Sequence, residues 1–109
     1  MNIESYRKML TAELTELEAT SEKSAESRRA VSLDQQSVGR LSRMDAMQQQ
    51  SMALAAEQRR QTRITRIKAA LARIDEDDFG YCLACGEDIE PKRLEADPSA
   101  PVCSACAGV

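Results

Sequence analysis

The chain has 109 residues, of which 30% are charged and 3% aromatic, and its formal net charge is −3. This is the composition of long solvated helices rather than of a thick globular core. There is no histidine, no phosphate-binding glycine loop and no paired nucleophile and base, so the chain is read as no enzyme. No apolar run approaches the ~18 residues a membrane span needs, and residues 1–10 carry Glu4, Arg7 and Lys8 without an apolar stretch. No membrane partner and no secretory signal are expected, and a reducing cytoplasm is the expected location.

From Ile3 to about Ala30 neither proline nor glycine occurs, and Ile3, Tyr6, Leu10, Leu14 and Leu17 recur at three- and four-residue spacing, one face of an amphipathic helix. Beyond Leu17 the stripe thins to Ala19, Ser21, Ser24 and Ala25. Serines, Asp34 and Gly39 cluster over residues 31–39 and read as a turn. A second helix is expected from Arg40 to about Asp75. Its far end repeats Ile64, Ile67, Leu71 and Ile74 like the a and d positions of a heptad. Its near end offers Leu41, Met44, Met47, Met52 and Leu54 in a different phase, and the polar stretch Glu57–Arg63 between them predicts a stutter in the seam. These apolar stripes are read as hairpin core. Two helices joined by a short turn form an antiparallel hairpin, an arm of roughly 40–45 Å. The expected division is 1–76 for the hairpin, with helices about 3–30 and 40–75 and a tip about 31–39, then 77–109 for a separate module. Asp75, Glu76, Asp77 and Asp78 close the second helix against its dipole, with Gly80 as the expected stop.

The charge is uneven along this layout. Residues 1–33 carry five basic and six acidic side chains, residues 34–74 eight and three, and residues 75–109 two and nine. The acidic segment also holds the four cysteines, as Cys82-x2-Cys85 and Cys103-x2-Cys106 with seventeen residues between the pairs. A lone pair of this kind can be a redox couple in a βαβ setting, which is absent. Two pairs at this spacing read as a structural zinc site, because four thiolates close a tetrahedral shell and leave no position for water. Gly86 allows the tight turn after Cys85. With few large apolar residues beyond Ile89, Leu94 and Val102, the module needs the ~10–16 kcal/mol that such a metal contributes to folding. The fold class expected is therefore mainly α: an antiparallel two-helix coiled-coil hairpin followed by a small four-cysteine zinc finger.

Asp75-Glu76-Asp77-Asp78-Phe79-Gly80-Tyr81-Cys82-x2-Cys85-Gly86, followed by Ile89, Arg93-Leu94-Glu95-Ala96, Pro98 and the second cysteine pair, closely resembles the DksA/TraR family of bacterial transcription regulators. The likeness is specific from about Ile64 to Cys106 and architectural before that. It implies direct binding to bacterial RNA polymerase, with the hairpin entering the secondary channel and its tip modulating initiation. The family's tip signature, Asp-x-x-Asp-x-Ala, falls without gaps on Gly39, Ser42 and Met44. The acids near this tip are Asp34 and Asp45, which become the functional candidates. Two basic positions linked to ppGpp in the family fall on Asp97 and Ala107, while Arg66 keeps the third, a pattern that weighs against ppGpp as a partner.

Two other readings stay open beside this one. Arg59, Arg60, Arg63, Arg66, Lys68 and Arg73 form a basic run that a zinc-finger DNA-binding protein would use, but the acidic finger would be repelled by phosphates and direct sequence-specific DNA binding is not expected. A coiled-coil adaptor with a purely structural role is the other alternative.

Overall fold

Asn2 opens the first helix by accepting the Ser5 amide on its side-chain oxygen at 3.2 Å, which satisfies one of the free donors of the first turn. In the computed structural model, which describes residues 2–25 and 40–108, helix α1 runs Ile3–Lys23 and α2 runs Arg40–Asp75. Two short helices follow in the finger, α3 (Pro91–Ala96) and α4 (Ser104–Ala107). Among the described residues the one strand-like pairing is the bridge between Tyr81 and Asp88.

α1 ends at Lys23 and not near residue 30. The Ser24 amide still reaches Thr20 O at 3.0 Å, but the Ala25 amide turns to Glu22 O at 3.2 Å. The Ser24 hydroxyl bonds the Ser21 carbonyl at 3.1 Å, competing with the helical ladder as serines do. The expected tip at 31–39, with Asp34, lies outside the described residues.

The two helices run antiparallel. Advancing along α1, Arg7 pairs with Asp75 at 2.7 Å, Glu13 with Arg63 at 2.6 Å, and Ser21 with Glu57. Tyr6 and Leu10 are buried, Leu14 and Leu17 are half-buried, and Ile3 stays in solvent. Besides Ala56, Arg63, Arg66, Ala70 and Arg73, the covered positions on α2 are Ala46, Gln50, Ala53, Glu57, Arg60, Ile64, Ile67, Leu71 and Ile74, which continue one heptad. Their three- and four-residue steps keep one phase along the helix, so there is no stutter. The seam instead accepts polar side chains at Glu57 and Arg60. Met44, Met47, Met52 and Leu54 are exposed rather than core, because continuing the heptad from Ile64 puts Ala46 and Ala53 on the covered face and these larger residues off it.

Asp77, not Gly80, terminates α2. It takes a left-handed φ of 57°. The Asp77 amide bonds Ile74 O at 3.2 Å and the Asp78 amide bonds Arg73 O at 2.8 Å, the paired closure that satisfies the last carbonyls of a helix. The chain then turns so that Phe79 meets Tyr6, ring centroids 5.6 Å apart and tilted by 41°. One continuous core results: Tyr6 and Leu10 of α1, Ile67, Ala70 and Ile74 of α2, and Phe79, Cys82, Ile89, Leu94 and Cys103 of the finger. With principal extents of 59 × 29 × 19 Å, the molecule is a rod thickened at the root.

Candidate metal centre

The first cysteine pair sits on a backbone knuckle. The Cys82 amide donates to Glu87 O at 2.7 Å and the Gly86 amide to Cys82 O at 2.9 Å. Gly86 takes φ +78° with no atom near its absent Cβ, so glycine is needed there for conformation and not for space. This turn aims the Ala84 and Cys85 amides at Cys82 Sγ, at 3.3 and 3.4 Å. The second pair brackets α4: Cys103 is its N-cap residue, and the Ala107 amide returns to Cys103 O at 2.9 Å. The Leu83 amide to Pro101 O bond, 2.9 Å, ties one knuckle to the other. Glu90 accepts the Ser104 amide at 3.3 Å and the Ser104 hydroxyl, while Arg93 Nε reaches Val102 O at 2.8 Å.

All four sulfurs lie within 4.8 Å of one another, and Cys85 Sγ and Cys103 Sγ are 3.8 Å apart. A tetrahedral shell with Zn–S near 2.3 Å separates its sulfurs by about 3.8 Å, whereas a disulfide needs about 2.05 Å. The cluster has the dimensions of the shell and not of a disulfide. Its protonation says the same. Burial pushes the Cys82 thiol up, but amide donors from Cys103, Cys85 and Ala84 outweigh it and bring it down to about 6. Cys106 is pushed up to about 12 by the sulfurs of Cys103, Cys82 and Cys85. Four sulfurs this close do not all ionise without a cation among them, and a divalent ion supplies that charge. The four cysteines fit one structural zinc ion.

A brace joins the arm to the finger, and its reach to Asp97 and Ser99 is the part the sequence did not reveal. Arg63 on α2 grips Glu13 of α1 with two bonds, 2.6 and 3.0 Å. Its NH1 reaches Asp97 Oδ1 at 2.9 Å and Ser99 Oγ at 2.7 Å in the finger. Arg66 NH2 adds a 3.2 Å contact to Asp97 Oδ2, although its Nε is buried with no hydrogen-bond partner among the described residues. Asp97 is held below its ordinary carboxylate value: burial opposes this, but the Ser99 hydroxyl, the Arg63 guanidinium and the Ser99 amide prevail. The Asp97-Pro98-Ser99 turn was the available signal, since Asp commonly accepts the amide two residues on; here that bond is 3.1 Å. Asp45 is exposed on α2, on the arm and outside the cysteine cluster.

A rod-like helical hairpin rooted on a four-cysteine finger defines a class, and comparison with known proteins names it. Residues 77–109 match the prokaryotic dksA/traR C4-type zinc finger. The chain belongs to the DksA/TraR family. The RNA polymerase-binding transcription factor DksA of Haemophilus influenzae is 45% identical over 56 residues, a match covering 51% of this chain and 39% of that protein; the chain thus spans well under half of that relative. The solution structure of the DnaK suppressor protein from Agrobacterium tumefaciens is similar over 99% of this chain and 93% of its own, with TM-score 0.67 and 32% identity. Transcription factor DksA2 from Pseudomonas aeruginosa shares the fold, with TM-score 0.75 and 24% identity over 96% of this chain and 79% of its own.

Proposed function

We propose that this protein is a DksA-like regulator that binds bacterial RNA polymerase directly, with the hairpin entering the secondary channel and modulating initiation. The observation that carries the reading is the pairing of a thin two-helix arm with a finger of the kind found in RNA polymerase-binding relatives. A rod of this shape enters a pore that a globule would not. Cys82, Cys85, Cys103 and Cys106 hold one zinc ion, which fixes the root of the arm and does no chemistry, so the protein is a non-enzymatic regulator acting in the cytoplasm. The tip candidates are Asp34 and Asp45, anionic groups that would act by charge near the polymerase's catalytic metal ions.

Two features bear on ligands. Asp97 lies against Arg63 and Arg66 and puts a carboxylate where an anionic nucleotide would have to approach Arg66, which supports action without ppGpp. The basic run on α2 is largely spent on acids: Arg60 pairs with Glu57, Arg63 with Glu13 and Asp97, and Lys68 with Glu18 at 3.7 Å. Paired arginines offer little to a phosphate backbone, which favours a protein partner over DNA. The test is retention of the zinc-loaded protein on purified bacterial RNA polymerase, with duplex DNA as the control at physiological salt. Retention on polymerase alone is expected. A salt-dependent, sequence-independent shift of DNA with no retention on polymerase would reverse the reading.

A further inference from the structure

From Ala46 to Ala56 the second helix carries no charged residue, in a chain that is 30% charged. Within this stretch and just before it, Met44, Met47 and Leu54 stand 58%, 51% and 49% exposed. With the exposed Ser51 they step by three, four and three residues, which lines them up along one side of α2. That stripe lies about 120° round the helix from the covered seam of Ala46, Gln50, Ala53 and Glu57. The hairpin uses the covered seam, and the outer stripe faces solvent.

Steps of three and four over apolar and small side chains are the pattern of a contact between two helices. The lack of charge narrows the occupant. A phosphate backbone or an anionic membrane surface needs cations along the stripe, and none lies between Ala46 and Ala56. A second copy of the same stripe fits without them. In an antiparallel pair Met44 of one copy faces Leu54 of the other and Met47 faces Ser51, each contact made twice by the two-fold axis. Two large side chains meet in the outer layers, and a large one meets a small one in the inner layers. Arg43 and Asp45 then fall opposite Ala55 and Ala53, so no like charges meet. Methionine adapts its shape to such a surface.

We propose that this stripe is a self-association surface, through which two copies pair antiparallel along their arms. Three large side chains bury far less than the ~800 Å² per partner of a stable dimer. The pair is therefore weak and concentration-dependent, with a dissociation constant on the order of 0.1 mM. The pairing stands without the polymerase reading, but its consequence rests on it. Two arms side by side are thicker than one, so the paired form is held out of the pore and association limits how much regulator acts.

Sedimentation equilibrium of the zinc-loaded full chain, from about 10 μM to about 1 mM, brackets that constant. The average mass of the wild-type protein is expected to climb from one chain towards two over this range. Met44→Glu alone and Leu54→Lys alone are each expected to weaken association by about tenfold or more. Helical signal and zinc content stay unchanged, since both side chains lie in solvent. Combining the two substitutions restores association, because each introduced carboxylate then faces an ammonium of the other copy. A parallel pair would set like charges together, so a double variant that stays monomeric overturns the antiparallel arrangement. A wild-type protein that remains a monomer throughout overturns the proposal, as does association that both single variants leave unchanged. Weaker retention of Leu54→Lys on purified polymerase, with the wild type monomeric, assigns the stripe to the polymerase instead. Failure of the wild type to bind polymerase removes the consequence and leaves the pairing standing.

Discussion

Arg63 is the residue on which three parts of the molecule meet. Its guanidinium is raised in pKa chiefly by the Glu13 carboxylate, so it stays charged at every working pH. Asp97 is the group that titrates. Its folded value lies below the ordinary 3.8, so the stability it confers is fully present above that value and is lost as pH falls through the folded one. Thermal midpoints measured from neutral pH downward should therefore drop on acidification below about pH 4, and Asp97→Asn should flatten that part of the profile. Arg63→Met should cost about 1–2 kcal/mol, less than a fully buried pair because the groups are partly solvated. Unfolding in urea measures it, and an unchanged midpoint would show the brace to be ornamental. Little of this was readable beforehand. Arginine at this spacing resembles any solvated helix face, and the acids it meets lie far from it in sequence. The cysteines were different: their spacing alone restricts how four sulfurs can meet.

At the scale of elements, α2 has two characters in one helix. From Ile64 to Ile74 its seam is apolar and was readable from periodicity. From Ala46 to Arg60 the same seam runs through Ala, Gln and Glu, and hydrophobic patterning lost it. Glu57 is only 8% exposed, yet it is bonded by Ser21, Arg60 and Gln61, as a carboxylate in a covered place requires. A polar layer of this type sets register more than it adds stability. Before Glu57 the half-buried positions on α2 among the described residues are only Ala46, Gln50, Ala53 and Ala56, with Met44, Met47, Met52 and Leu54 in solvent. Such a segment tolerates substitution at exposed positions, which makes a charge test practical. Replacing Asp34 and Asp45 together by Asn should leave competition for polymerase nearly unchanged while removing the effect on transcription in a purified initiation assay. Full transcriptional activity in that variant would assign the effect to bulk or to other contacts.

At the scale of the whole molecule, hairpin and finger share one core, although the sequence suggested two separately patterned units. The join is invisible in composition because it depends on Tyr6 and Phe79 meeting across most of the chain. Its consequence is measurable. Cys103→Ser should abolish the one equivalent of zinc that a closed four-thiolate shell binds. It should also lower the melting temperature of the helical signal, because Phe79, Ile89 and Leu94 lose their fixed places against Tyr6 and Leu10. A chelator should do the same to the unaltered protein, more readily at low pH, where protons compete for the thiolates. Circular dichroism with and without chelator reads both effects, and helices that melt unchanged after metal loss would break the link.

The order in which that shared core is made has its own meaning during synthesis. Tyr6 and Leu10 leave the ribosome well before their partners, on a helix of 21 residues of a kind whose stability comes mostly from packing of its apolar face. The surfaces that cover them, Ile67 to Phe79 and the finger beyond, emerge only much later. Until they do, the nascent chain carries an uncovered apolar stripe, open to chaperones and proteases. The four-thiolate shell that fixes those surfaces cannot close until Cys106 has emerged.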